Sequence, residues 1–200
     1  MRLLVIRHAI AEPRERFART DEDDDLRPLT RKGRRRMRRA ARGLRALVPA
    51  LDVLATSPLV RARQTADIVA RAYGGPAPQT VEALRPDSPP DELLRWLHER
   101  AGVHRNERQS DDGGAEGEDE GVAPTTDREG GETTIAVVGH DPHLPALLTW
   151  LVTGERQSWL ALRKGGACLV RFERELRAGA GEIRWLAAPA VLRRIGRLGR

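Results

Sequence analysis

Short apolar runs and amphipathic segments alternate along most of the chain. The apolar runs are bounded by charged residues or turn signals, a pattern that is typical of buried strands. Behind Thr30, apolar residues recur at helical spacing over 31–48, which predicts a helix with Thr30 as its N-cap. The predicted strands are 1–6, 51–57, 80–84, 133–140, 167–173 and 182–188. The predicted helices are 31–48, 59–73, 90–100 and 142–153.

The alternation of strands with helices predicts an α/β fold with helices on both faces of the sheet. In such sheets, ligands bind beyond the carboxyl ends of the strands. Arg7 and His8 follow the first predicted strand, Ser57 and Arg61 follow the second, and His140 ends a later one. Three separate segments therefore bring cationic or titratable groups to one edge of the sheet.

Two arginines and two histidines at one sheet edge indicate an anion site, and phosphate is the anion that fits them best. Arginine binds phosphate through paired, charge-assisted hydrogen bonds. Histidine can act as a nucleophile when its imidazole is neutral. The positive charges of Arg7 and Arg61 disfavour the imidazolium form, so we expect them to help keep His8 neutral near pH 7.

The composition is that of one domain, with 200 residues and a hydrophobic content of 40%. Cys168 is the only cysteine, which excludes an intrachain disulfide and favours a reducing compartment. The first apolar run is shorter than a signal peptide requires, and no run approaches the length of a membrane span. These features predict a soluble, cytoplasmic protein without a membrane partner, and a monomer is the default expectation.

Charge is distributed unevenly along the chain. Residues 104–134 contain ten acidic and three basic side chains, whereas the remainder has 32 basic and 19 acidic ones, a net charge of +13. The acidic, Gly-rich stretch over about 105–132 has no periodicity, which predicts a disordered insertion within a single domain 1–200. The strongly basic remainder suggests anionic partners.

Nine basic residues between 31 and 45 raise an alternative from a different class, a module that binds phosphate or nucleic acid without turnover. No aromatic residue interleaves these basic residues, and no helix-turn-helix, RNA-binding or zinc-finger pattern accompanies them. The sequence therefore argues against a nucleic-acid partner. The same basic surface could instead recruit an acidic phosphoprotein.

Four blocks of the sequence resemble the histidine phosphatase superfamily, and they are most similar to its bacterial phosphohistidine phosphatase, or SixA-type, branch. The blocks are LLVIRHA, DDLRPLTRKGRRR, TSPLVRARQTA and VVGHDPHL, and they follow the family's order within 1–153. The resemblance implies a phosphoglycerate mutase-like, three-layer α/β/α sandwich with a mostly parallel central sheet. It also implies a covalent mechanism in which His8 is the nucleophile while Arg7, Arg61 and His140 hold the phosphoryl oxygens, with no metal or other cofactor.

The resemblance leaves the proton donor open between two carboxylic acids. Glu82 lies about where the family places its donor, and Asp141 directly follows His140. Ser57 could lend a hydroxyl group to the phosphate. Arg27 could face the pocket or pair with the acidic run Asp21–Asp25, and the sequence favours neither.

Two positions depart from relatives that act on small phosphate esters. Ala9 stands where many of them have glycine, and Arg14 stands where many have asparagine. We therefore expect a metal-independent phosphatase that acts on protein phosphohistidine, with a small phosphomonoester as the alternative substrate. A metal site is disfavoured because His140 and His143 have no third ligand cluster near them in the sequence.

Overall fold

Six strands form one mixed sheet in the described parts of the chain, which are residues 1–111 and 132–198 of a computed structural model. The strands are β1 Arg2–Arg7, β2 Val53–Thr56, β3 Gln79–Thr80, β4 Thr134–Gly139, β5 Ala167–Arg171 and β6 Glu182–Ala187. The helices are α1 Arg14–Phe17, α2 Arg31–Leu47, α3 Val60–Tyr73, α4 Pro90–Asp111, α5 His143–Thr153 and α6 Pro189–Leu198. No helix of the described residues is both long and apolar enough to cross a membrane.

The strand order β3-β2-β4-β1-β5-β6 places the longest buried strands at the centre of the sheet. Strands β3, β2, β4 and β1 are parallel to one another, whereas β5 pairs antiparallel with β1 and β6 pairs antiparallel with β5. In the register between β1 and β4, Arg7 pairs with Gly139. The residues that follow these two strands therefore leave the sheet side by side, as the sequence predicted.

Alternating residues of β1 supply two separate hydrophobic cores. Leu3 and Val5 face a core that includes side chains of α4 and α5, and Leu4 and Ile6 face a core with α2, α3 and α6. All four side chains are fully buried, which explains why β1 is a continuous apolar run. The predicted three-layer sandwich with a mostly parallel sheet is confirmed.

The observed elements differ from the predicted ones in four places, one of which is the unpredicted four-residue helix α1. The predicted strand 80–84 is a two-residue strand followed by a 3-10 turn over Glu82–Leu84. Helix α4 runs to Asp111, beyond the predicted 90–100, and residues 112–131 of the predicted acidic insertion lie outside the described residues. The sequence analysis missed α6, whose buried Leu192 packs in the same core as α2.

Candidate active site

His8 directly follows β1 and presents one free ring nitrogen. Its Nδ1 lies 2.7 Å from the carbonyl oxygen of Ala9. Because a carbonyl oxygen only accepts hydrogen bonds, Nδ1 carries the proton and Nε2 keeps its lone pair. Burial is the main reason that the pKa of His8 falls to about 3, and the positive charges of Arg61 and Arg7 lower it further. The predicted neutral imidazole is therefore supported, although burial contributes more than the two arginines.

Three backbone contacts hold His8 in place. The His8 N–H donates to the carbonyl oxygen of Gly139 at 2.9 Å, which ties the end of β1 to the end of β4. The Ala9 N–H donates to Oγ1 of Thr65 at 3.0 Å. The carbonyl oxygen of His8 accepts a hydrogen bond from the N–H of Gly165 at 3.0 Å, where a φ of 75° favours glycine. The nucleophile candidate thus sits on a backbone that is constrained on both sides.

His140 follows β4 and faces His8, with 5.1 Å between the ring centroids. Its Nε2 lies 2.8 Å from Oγ of Ser57, and that oxygen also accepts the N–H of Leu59 at 3.4 Å. The Ser57 hydroxyl group can donate to Nε2 or accept from it, and when it donates, the imidazole proton lies on Nδ1. The Nδ1 atom is buried and has no partner among the described residues. Burial, together with the charge at Arg61, lowers the pKa of His140 to about 2.

Arg7 and Arg61 are both anchored through their terminal nitrogens. Arg7 donates from Nη1 to the carbonyl oxygen of Leu162 at 2.7 Å, and its Nη2 lies 3.2 Å from Oδ2 of Asp141. Arg61 donates from Nη1 to the carbonyl oxygen of Asp24 at 2.8 Å, and its Nη2 lies 3.3 Å from that residue's Oδ2. The Nε atom of each arginine is buried without a partner in the described residues. Each guanidinium is therefore oriented by the protein and retains its Nε–H as an unpartnered donor, besides the second hydrogen of each terminal nitrogen.

Asp24 organises the arginines on the α3 side of the site. Its Oδ1 accepts from Nε of Arg27 at 2.7 Å, and Nη1 of Arg27 donates to the carbonyl oxygen of Glu12 at 2.9 Å. The hydrogen bond from Arg27 and the charge of Arg61 lower the pKa of Asp24, so the carboxylate stays ionised. Arg27 therefore pairs with the acidic run, and its charge also lowers the pKa of His140, so a place beside the pocket stays a prediction. The sequence analysis did not single out Asp24.

Each of the two candidate proton donors forms an ion pair with an arginine. The Glu82 side chain is 72% exposed, and its Oε2 accepts from Nε of Arg85 at 2.8 Å. Asp141 is 43% exposed and pairs with Arg7. Glu82 is thus engaged by Arg85, and Asp141 lies against the guanidinium of Arg7.

Two further residues of this region are not among the predicted site residues. Thr65 is fully buried, and its hydroxyl donates to the carbonyl oxygen of Arg61 at 2.7 Å while accepting from Ala9. Its position four residues after Arg61 places both on one helix face, a signal that could have identified it. Lys164 lies near enough for its charge to lower the pKa of His8.

Metal binding finds no support in the geometry. Within the described residues, no group of three or more histidine, cysteine, aspartate or glutamate side chains lies close enough to hold a metal ion. His143 is buried, and neither of its ring nitrogens has a partner there. Burial lowers the pKa of His143, so it is held as a neutral side chain beneath the site.

Comparison with known proteins identifies a family. The sequence model of the histidine phosphatase superfamily, branch 1, matches residues 3–183 of the chain. An uncharacterized protein of Picosynechococcus sp. strain PCC 7002 is 34% identical over 183 residues, which make up 92% of this chain and 88% of that protein.

Two solved structures share the fold at low sequence identity. The protein histidine phosphatase SixA in complex with tungstate has a TM-score of 0.66 and 20% identity, and the match covers 95% of this chain and 98% of that one. A mycobacterial glucosyl-3-phosphoglycerate phosphatase in complex with VO3 has a TM-score of 0.62 and 13% identity, with 94% and 99% of the two chains covered. The likeness to these structures concerns the fold.

Proposed function

Because the chain belongs to the histidine phosphatase superfamily, we propose that it is a phosphatase that works through a covalent phosphohistidine at His8. We further propose that its substrate is phosphohistidine on a protein and that no metal takes part. Arg7, Arg61 and His140 bind the phosphoryl group in this proposal, and Ser57 orients His140.

The observation that carries the proposal is the set of unpartnered buried polar atoms around His8. Nε of Arg7, Nε of Arg61 and Nδ1 of His140 are all buried without a partner in the described chain. Buried polar atoms without partners are rare and call for an explanation. In this proposal the oxygens of a phosphoryl group accept from the two arginines, and from His140 in the tautomer that is protonated on Nδ1, with phosphorus at the free Nε2 of His8.

The chemistry follows from the tautomer of His8. Nε2 attacks phosphorus in line with the leaving group, and the phosphorylated ring carries a positive charge. The Nδ1–H of that ring keeps its hydrogen bond to the Ala9 carbonyl oxygen, which stabilises this charge. Water then attacks phosphorus, the P–Nε2 bond breaks, its electron pair returns to Nε2, and dihydrogen phosphate leaves with both protons of the water.

Both candidate acids are already paired with arginines, and this pairing favours phosphohistidine over an alkyl phosphate as the substrate. An alkoxide leaving group needs a proton from a positioned acid. Glu82 is paired with Arg85, and Asp141 is paired with Arg7. A phosphohistidine ring that is protonated on its other nitrogen leaves as neutral imidazole and needs no such donor. The fold is shared with SixA and with a glucosyl-3-phosphoglycerate phosphatase alike, so the choice of substrate rests on these acidic groups.

The test compares two phosphopeptides that share one sequence and differ only in carrying phosphohistidine or phosphoserine. In the presence of a chelator, we expect kcat/KM for the phosphohistidine peptide to be at least about tenfold higher. His8→Ala should lower the rate by roughly 10³-fold or more, since the nucleophile is lost. Quenching in alkaline SDS during turnover should trap a phosphate that is stable to base, labile to acid and bound to the wild-type chain only.

Each alternative to the proposed function or mechanism predicts a different result in these assays. Turnover that survives in His8→Ala would refute the mechanism, and turnover abolished by the chelator would refute metal independence. Preference for phosphoserine or for a generic aryl phosphate would replace phosphohistidine with a small or different phosphomonoester. Tight phosphate binding without turnover of any substrate would instead identify a binding module.

A further inference from the structure

A second concave site, here called the basic groove, lies beside the loop that carries His8. It has a volume of about 190 Å³ and lies between α2, the loop 163–165 and the start of α6. Four cationic side chains line it, namely Arg36, Arg163, Lys164 and Arg193. The remaining lining is small or apolar and contains no carboxylate or aromatic side chain among the described residues.

The positive charge of the basic groove is not neutralised within the described chain. None of its four cations forms an ion pair with a described carboxylate, in contrast to Arg7, Arg27 and Arg61 in the active site. The pKa of Arg193 is lowered by partial burial and by the charges of Arg36, Arg197 and Arg39. A concentration of like charge in a concave surface attracts anions.

The basic groove shares its wall with the active site. Ala9 and Gly165 line it, and the N–H of Gly165 donates to the carbonyl oxygen of His8. A Cβ on Gly165 would lie 3.7 Å from Sδ of Met37 and 3.9 Å from the Pro189 ring, so this glycine separates the two sites by little more than its own backbone. A ligand could therefore occupy the active site and the groove together.

We propose that the basic groove binds an acidic side chain that lies next to the phosphorylated residue of a protein substrate. This inference rests on the proposed function and adds a specificity determinant to it. The groove is smaller than the roughly 300–1,000 Å³ of a small-molecule pocket, which suits one protruding side chain. The absence of an aromatic stacking surface among its described residues disfavours single-stranded nucleic acid.

The test uses two phosphohistidine peptides in which the flanking residues are glutamate in one and glutamine in the other. The groove variant is Arg36→Gln with Arg193→Gln, and Lys164 is left intact because its charge also acts on His8. The matched control is Arg35→Gln with Arg194→Gln, which removes the same charge from exposed positions of the same two helices. The full chain is used throughout.

The groove variant should lower kcat/KM for the glutamate peptide about tenfold and change it for the glutamine peptide and an aryl phosphate by less than about twofold. The control variant should change all three by less than about twofold. Equal losses on both peptides, or equal losses in the control variant, would overturn the proposal.

A separate binding experiment tests the basic groove if the chain does not act as a phosphohistidine phosphatase. If the wild-type chain hydrolyses no phosphohistidine peptide, the binding of the unphosphorylated peptides to His8→Ala is measured by fluorescence anisotropy. Tighter binding of the glutamate peptide that is lost in the groove variant would support the acidic-ligand site alone. Equal binding of both peptides would refute it, as would tighter, Arg36-dependent binding of a single-stranded oligonucleotide.

Discussion

At the scale of single residues, the candidate site depends on groups that hold the reactive side chains rather than on those side chains alone. His8 is neutral because it is buried, and its tautomer is set by one backbone carbonyl oxygen. Arg61 is oriented by Asp24, and Arg7 is oriented by Leu162 and Asp141. Substitution of a supporting group should therefore alter catalysis without removing any reactive atom.

Substitution of Thr65 tests directly whether a supporting group positions His8. Thr65→Val removes the acceptor of the buried Ala9 N–H, which should cost about 1–3 kcal/mol of unfolding free energy. Because Ala9 carries the carbonyl oxygen that fixes His8, we expect kcat for the preferred phosphopeptide to fall about tenfold while KM changes little. Steady-state kinetics and urea unfolding measure the two effects.

Thr65→Ser is the matched control, since it keeps the hydroxyl group and should retain most of the wild-type kcat. A loss of kcat in Thr65→Ser that is absent from Thr65→Val would indicate that the threonine methyl group matters instead. An unchanged kcat in Thr65→Val would show that the Ala9 N–H does not position His8.

At the scale of elements, the central strands could be predicted because their apolar runs are local and continuous. The ends of those strands, in turn, predict Arg7, His8 and His140 as neighbours at one edge of the sheet. Asp24 could not be found this way, because its role depends on a loop that folds back over α3 to meet Arg61. The two-residue strand β3 is set by pairing with β2, which its own short sequence does not encode.

Helix α6 was missed because its stability comes from a contact that is distant in sequence. Gly43 of α2 and Gly196 of α6 allow the two backbones to meet closely, and a Cβ on Gly196 would lie 2.2 Å from the carbonyl oxygen of Arg39. The many arginines of α6 conceal this packing from a reading of apolar periodicity. Two glycines that face each other across helices are visible only once the helices are placed.

Gly196→Ala should therefore force α6 away from α2. We expect a loss of about 1–3 kcal/mol in the free energy of unfolding, because the added methyl group would clash with backbone atoms. Gly102→Ala in α4 is the control, since nothing lies within 4 Å of its Cβ and alanine favours a helix by up to about 1 kcal/mol. Urea denaturation measures both, and an unchanged stability of Gly196→Ala would contradict the close crossing.

At the scale of the whole molecule, three buried histidines of this strongly basic protein are neutral in the folded state. His8, His140 and His143 all have pKa values lowered by burial. The same three side chains have an ordinary pKa near 6.5 once unfolded. Below that pH the unfolded chain binds protons that the folded chain does not, so the folded state loses stability as the pH falls.

The free energy of unfolding should thus decrease steeply between pH 6.5 and pH 5. Each of the three histidines contributes up to about 1.4 kcal/mol per pH unit in this window. The lowered pKa of Asp24 does not interfere, because its contribution disappears only near and below its ordinary value of 3.8. Urea unfolding at a series of pH values gives the slope, which equals the difference in bound protons.

His143→Leu separates the buried histidines from catalysis, since His143 takes no part in the proposed mechanism. The variant should lower the acid slope, by at most one proton, and gain stability at pH 5 relative to the wild type, because leucine suits an apolar site and carries no titrating group. A His143→Leu slope equal to that of the wild type would show that His143 is protonated in the folded chain, and that its surroundings supply a hydrogen-bonding partner to its ring.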